Sequence, residues 1–188
     1  MIVSTVSGEG ARPAHLMIIG EMPGIDEGRQ GRPFVGKSGR ELRRFLNGYE
    51  LPEASDCYLT NLSKTVAPTV KDMVVTDRDI ERLLSEIASV KPRVICTLGA
   101  NVTQWFMGAG WHLETVHGIP HVPRAQAGTL QGLLGYVPKL FPGYNPAAML
   151  HSPKLQSVFA YDMRRLSLLL RGKLPAPARD EKPGTYTV

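Results

Sequence analysis

Residues 18–36 read Ile-Ile-Gly-Glu-Met-Pro-Gly-Ile-Asp-Glu-Gly-Arg-Gln-Gly-Arg-Pro-Phe-Val-Gly, and this stretch decides how the rest of the chain is read. The run at 16–19 is short, apolar and partly β-branched, the pattern of a buried strand. It stops at Gly20-Glu21-Met22-Pro23-Gly24, where glycine and proline impose a sharp turn. In an open α/β sheet, ligands bind at the carboxyl ends of the strands. Glu21 at such an end, followed by Glu27, therefore marks a candidate catalytic edge. Residues 31–36 then set Phe34 in a rigid loop between glycines, where its ring is suited to stack on a flat ligand such as a nucleobase.

Outward from this stretch the chain alternates. Residues 36–46 predict a helix with Leu42, Phe45 and Leu46 on one side and Arg43 and Arg44 on another. Residues 57–62 predict a second strand, ending at Asn61. Thr76-Asp77-Arg78-Asp79 opens the next helix as a variant capping box, and Ile80, Leu83, Leu84 and Ile87 continue it at helical spacing. Lys91-Pro92 ends that helix, 93–98 reads as a third strand, and 100–107 as a helix whose Trp105 and Phe106 belong to the core. Residues 108–139 are glycine-rich and read as irregular, with a short strand near 119–122. A last strand at 140–144 leads into the Asn145 loop, and Leu155, Val158, Phe159, Met163, Leu166 and Leu170 predict an amphipathic helix over 155–170. This order predicts one α/β domain over residues 1–172, a three-layer α/β/α sandwich on a four-stranded, mostly parallel sheet. Right-handed crossovers put the strand ends at Gly20, Asn61, Gly99 and Asn145 on one edge. Residues 173–188, rich in proline and charge, read as a disordered tail.

Residues 31–38 also match the phosphate-loop pattern G-x-x-x-x-G-K-[ST]. A working phosphate loop hangs directly from a buried strand and presents its backbone N–H groups. The preceding Asp26-Glu27-Gly28-Arg29-Gln30 is no strand, and Pro33 removes a donor. The match is read as accidental, which leaves Lys37, Ser38 and Arg40 as candidate phosphate contacts at the start of the following helix.

These residues resemble the signature of the uracil-DNA glycosylase superfamily, most closely its iron–sulfur class from thermophiles. There the strand ends in Gly-Glu-Ala-Pro-Gly and Gln-Gly-x-Pro-Phe-Val-Gly closes the loop. Tyr58-Leu59-Thr60-Asn61 is similar to that class's Tyr-Ile-Thr-Asn strand, and residues 91–99 to its Lys-Pro-x-Val-Ile-x-x-Leu-Gly strand. Tyr144-Asn145-Pro146-Ala147-Ala148-Met149-Leu150 is similar to its Tyr-His-Pro-Ala-x-Leu-Leu loop. The resemblance covers residues 1–172 and implies the same sandwich and a monofunctional DNA glycosylase. Such an enzyme flips a pyrimidine out of DNA, hydrolyses its N-glycosidic bond and leaves an abasic site.

Breaking that bond makes a sugar cation and a base anion. The site needs a carboxylate near the sugar, donors for the leaving base and a pocket that reads it. Its place at the strand end makes Glu21 the first choice for the sugar or its attacking water, while the resemblance places Glu27 near the C5 edge of the base and Asn145 at the position that serves the base O2. Gly20, Met22, Phe34 and Asn61 form the base pocket. Arg32, Lys37, Ser38, Arg40, Met149, Leu150 and His151 contact DNA, with Met149 and Leu150 as the wedge. Asn145 stands where the iron–sulfur class has His, and His151, His112, His117 and His121 are candidate substitutes. Met22, Gly28, Asn145 and Ala148 depart from the class pattern, so the base is either uracil or a modified pyrimidine of viral DNA. The alternatives are a DNA-binding module without catalysis and, through residues 31–38, a nucleotidase.

Net charge is +5 and 43% of residues are hydrophobic, which fits a globular chain. Arg29, Arg32, Lys37, Arg40, Arg43 and Arg44 crowd around the first motif and predict a phosphate-facing rim. No apolar run is long enough for a membrane span and residues 1–13 carry no secretory pattern, so a cytoplasmic monomer acting on DNA is expected. The cysteines are Cys57 and Cys96, both in predicted strands. The class carries four cysteine ligands, but here Lys64-Thr65 replaces its Lys-Cys and the last ligand position falls near Asp79. No cluster, metal or other cofactor is expected.

Overall fold

In a computed structural model, which describes residues 5–49, 51, 57–150 and 152–174, the chain begins with a two-residue strand, β1 (Glu9–Gly10). The apolar run at 16–19 becomes β2 (Leu16–Gly20), and β3 (Tyr58–Asn61), β4 (Val94–Leu98) and β5 (Lys139–Gly143) follow. The sheet order is β1-β3-β2-β4-β5. β2 to β5 are mutually parallel and β1 is an antiparallel edge strand on β3. Five strands therefore replace the expected four. The extra one is two residues long and contains Gly10, too short to carry a period-2 pattern.

Strand residues alternate between two apolar layers, as a sheet covered on both faces requires. Met17, Ile19, Tyr58, Ile95 and Leu140 face one layer, built from α3 (Asp77–Val90), α4 (Ala100–Met107), α5 (Leu113–Val116) and α6 (Ala127–Leu134). Leu16, Ile18, Leu59, Cys96 and Phe141 face the other, with α2 (Lys37–Gly48), α7 (Pro146–Met149) and α8 (Pro153–Leu170). Phe106 is fully buried in the first layer and Trp105 packs against it. The three-layer sandwich is the observed architecture.

The Thr76 capping box is present: its side chain accepts from Asp79 N, while the Asp79 carboxylate accepts from Thr76 N. Residues 108–139 are less irregular than expected, since they carry α5 and α6. The strand expected near 119–122 reduces to one bridge, His121 with Leu140. Glycine at 128, 132 and 135 hides the helical signal of α6, because glycine is a poor helix former. The stretch before Gly31 is a short helix, α1 (Ile25–Gln30). Of the tail expected to be disordered, residues 175–188 lie outside the described residues.

Candidate active site

Gly20 pairs with Asn61 and with Leu98, and Leu98 with Gly143, so four parallel strands end at one level. That register delivers Glu21, Asn61, the start of α4 and Asn145 to a single edge. There, a cavity of about 150 Å³ is lined by Glu21, Met22, Glu27, Phe34, Ser38, Asn61, Val70 and Asn145, with neighbouring backbone.

Glu21 is only 5% exposed, and each of its carboxylate oxygens is hydrogen-bonded. Oε1 accepts from the backbone N of Asn101 at 3.1 Å and from its Nδ2 at 2.9 Å. Oε2 accepts from Asn145 Nδ2 at 3.0 Å. Asn145 is also the N-cap of α7, its Oδ1 accepting from Ala147 N at 2.9 Å. Gly99, at φ 126°, lets Glu21 lie against the head of α4, because a Cβ there would collide with the carboxyl group.

Glu27 serves the Phe34 loop. Its Oε1 accepts from Val35 N at 2.9 Å and Gly36 N at 2.8 Å. Phe34 itself sits in the left-handed region at φ 54°, a conformation that costs a side-chain-bearing residue roughly 1–2 kcal/mol. Arg43 Nε donates to the Phe34 carbonyl at 3.2 Å, and Gly39 allows α2 to press against the same peptide. Arg29 pairs with Asp26, leaving Glu27 out of that ion pair. Because Val35 and Gly36 already donate to Glu27, and α1 precedes them in place of a strand, residues 31–38 do not form a phosphate loop.

Asn61 is 3% exposed, and no other side chain or peptide among the described residues bonds its side-chain amide. A methyl group at residue 20 would collide with the Asn61 amide oxygen and lie 2.9 Å from Phe34 Cζ, so Gly20 forms the floor between the ring and the amide. One donor–acceptor amide beside one aromatic ring can engage both the edge and the face of a planar ligand.

Several expectations need correction. Met149 is 6% exposed and packs in the core between α2 and α8, so it is no wedge; Leu150, next to it, is 40% exposed. The expected cationic rim is largely neutralised. Arg32 and Arg43 both pair with Glu9, at 2.7 and 3.0 Å, and Arg44 pairs with Glu41. Against the opposing effect of burial, these two arginines hold the Glu9 carboxyl below its ordinary range. Lys37 and Arg40 have no carboxylate partner among the described residues, and Arg40 donates to the Val35 carbonyl. Of the substitute histidines, His117 is buried against Asp162 at 2.9 Å, His121 bonds the Val116 carbonyl, and His112 caps α5; none lines the cavity. His151 lies outside the described residues. Sequence reasoning missed Asn101 and Val70. The available signal for Asn101 was its place just after Gly99, the one strand end left without an assigned side chain.

A parallel sandwich with a buried carboxylate, an aromatic ring and an amide converging on its strand ends has the architecture of a DNA glycosylase. Residues 7–166 match the model of the uracil DNA glycosylase superfamily, and the chain belongs to that superfamily. It is 32% identical to a type-4 uracil-DNA glycosylase of Saccharolobus solfataricus, over 90% of this chain and 78% of that protein. Similarity to the type-4 enzymes of Archaeoglobus fulgidus (29%, covering 90% and 84%) and Sulfurisphaera tokodaii (28%, covering 87% and 73%) is nearly as extensive.

The cysteines among the described residues, Cys57 and Cys96, are too few to ligate the four-cysteine cluster of the class that the sequence resembles. Cys57 and Cys96 are fully buried in the layer of α2 and α8, where burial pushes the Cys96 thiol far above its ordinary value. Next to Thr65, the Asp79 carboxylate accepts from Lys64 N at 3.0 Å. Lys64 Nζ is buried against Glu86 at 2.7 Å, Thr60 at 2.6 Å and the Asn61 carbonyl at 2.8 Å. Polar bonds thus tie the segment following β3 to α3. Among the described residues no helix is long and apolar enough to cross a membrane.

Proposed function

We propose that this chain excises uracil from DNA as a monofunctional glycosylase, with Glu21 as the carboxylate of the chemical step. The observation that carries the reading is the convergence of Glu21, Phe34 and the buried Asn61 amide on one small cavity. In the proposed reaction the flipped base stacks on Phe34 and its edge bonds Asn61. The C1′–N1 bond breaks with its electron pair leaving on the base, and a water oxygen bonds to C1′. Glu21 offsets the positive charge on the sugar and takes the proton of that water, while the base anion is protonated from solvent. Extruding the base costs about a few kcal/mol, which stacking and the exposed Leu150 offset. Lys37, Ser38 and Arg40 hold a phosphate beside the pocket. Glu27 acts by holding the Phe34 loop.

Uracil is favoured over a modified pyrimidine for two reasons. The relatives at 28–32% identity are named as uracil-DNA glycosylases. Of the four departures from the class pattern, Gly28 and Ala148 are not among the residues lining the cavity. Mass spectrometry of bases released from uracil-containing DNA and from DNA with 5-substituted pyrimidines tests the choice. Release of a substituted base without uracil would overturn it. Glu21→Gln should abolish release while DNA binding persists, because it removes charge and little volume; turnover at the parent rate would refute the role of Glu21.

A further inference from the structure

We propose that Asn101 is a positioning residue for the reaction, fixing the direction in which the Glu21 carboxylate faces the sugar. The inference rests on the reading of Glu21 as the chemical carboxylate. A carboxylate offers about four lone-pair sites. Here two on Oε1 are taken by Asn101, through its backbone N–H and its Nδ2, and one on Oε2 by Asn145. The remaining site is therefore on Oε2, the oxygen left for a water or a developing cation.

Asn145 alone would leave the carboxylate free to swing about its last bond. The two donors of Asn101 remove that freedom, because they arrive from a different strand end and engage the other oxygen. They also sit in the first turn of α4, where unpaired N–H groups concentrate partial positive charge. Gly99 completes the arrangement by leaving room for the carboxyl group against the helix start. Asn101 is itself exposed, so packing does not explain why its amide turns toward a buried acid.

Two nearly isosteric substitutions separate positioning from a structural role. Asn101→Leu removes the side-chain donor. Asn101→Asp places an acceptor and a negative charge where the donor was, yet an acidic residue in the first turn of a helix favours stability. The measurement is the single-turnover rate of uracil release at saturating enzyme and pH 8, well above the ordinary carboxylate range, beside thermal melting. Asn101→Leu should slow release by about tenfold, the scale of one hydrogen bond to a charged group. Asn101→Asp should be slower still, while melting no lower than Asn101→Leu. Release by Asn101→Asp as fast as by Asn101→Leu, or both within about twofold of the parent, would overturn the proposal. Glu21→Gln in the same assay separates the two failures. If it retains the parent rate, the reading of Glu21 is wrong; if it is inactive while both Asn101 variants are unaffected, only the role of Asn101 is wrong.

Discussion

Removing the Glu27 side chain should weaken capture of the flipped base and leave the chemical step nearly intact. Its Oε1 accepts from Val35 N and Gly36 N, the two peptides that follow Phe34. Hydrogen bonds to a charged acceptor are worth roughly 1.5–3 kcal/mol each. Water entering the space vacated by Glu27→Ala would replace part of this, so roughly 2–3 kcal/mol of loop order is lost. The left-handed Phe34 then relaxes, and the fraction of molecules with the ring in place falls by about 30- to 160-fold. Apparent affinity falls by the same fraction. Glu27→Gln keeps an acceptor oxygen and loses only the charge, a cost of about 1 kcal/mol, or roughly fivefold. Fluorescence anisotropy with a duplex carrying a non-cleavable uracil analogue reads the affinity, and single-turnover kinetics at saturating enzyme reads the chemistry. Should Glu27→Gln lose the saturated rate as fully as Glu21→Gln, the charge of Glu27 is chemical and the reasoning fails.

Phe34→Ala should raise the Kd for the same analogue duplex by the equivalent of about 1–3 kcal/mol, the scale of base–aromatic stacking, and an unchanged Kd would place the ring outside the base contact. Lys64→Met leaves the Glu86 carboxylate buried without its cation and should lower urea stability by about 3–5 kcal/mol; adding Glu86→Gln should recover most of that loss. Burial holds the Asp162 carboxyl above its ordinary range, with His117 and Arg165 opposing. A raised folded pKa contributes stability that is complete below the unfolded value of about 3.9 and declines as pH rises through the folded value. Asp162→Asn removes that decline, so its stability relative to the parent should improve as the pH rises above about 4. A relative stability that is flat or falls across this range would show that the carboxyl does not titrate as described.

What was legible in the sequence follows from how local each signal is. Strand β2 reads as a continuous apolar run and β4 nearly so, and the Thr76 box announced α3 through residues three apart. The strand-end turn at Gly20-Glu21 and the glycine-bounded ring of Phe34 are equally local. What stayed hidden depends on partners distant in the chain. The cations near the first motif read as a phosphate rim because Glu9, which neutralises Arg32 and Arg43, lies on an edge strand with no pattern of its own. Met149 and Leu150 are neighbours of similar character, and only the packing of α7 between α2 and α8 decides that one is core and the other exposed. Asn101 meets Glu21 across 80 positions, a separation at which sequence spacing carries no information.

The same long-range contacts bear on the amide at position 145. Its oxygen caps α7 and one of its N–H bonds is engaged by Glu21, so one neutral N–H is all it can offer a departing base. An imidazolium at this place would set a full positive charge against the base O2, but it would also sit beside the Glu21 carboxylate and draw on the same negative charge that faces the sugar. The amide lessens that competition. As a neutral donor it draws less on the Glu21 charge than an imidazolium would, and on the proposed reading it shifts the burden of stabilising the base anion toward the Asn61 amide. Weaker leaving-group assistance combined with a less diverted carboxylate is a coherent division of work for a reaction whose transition state carries its positive charge on the sugar.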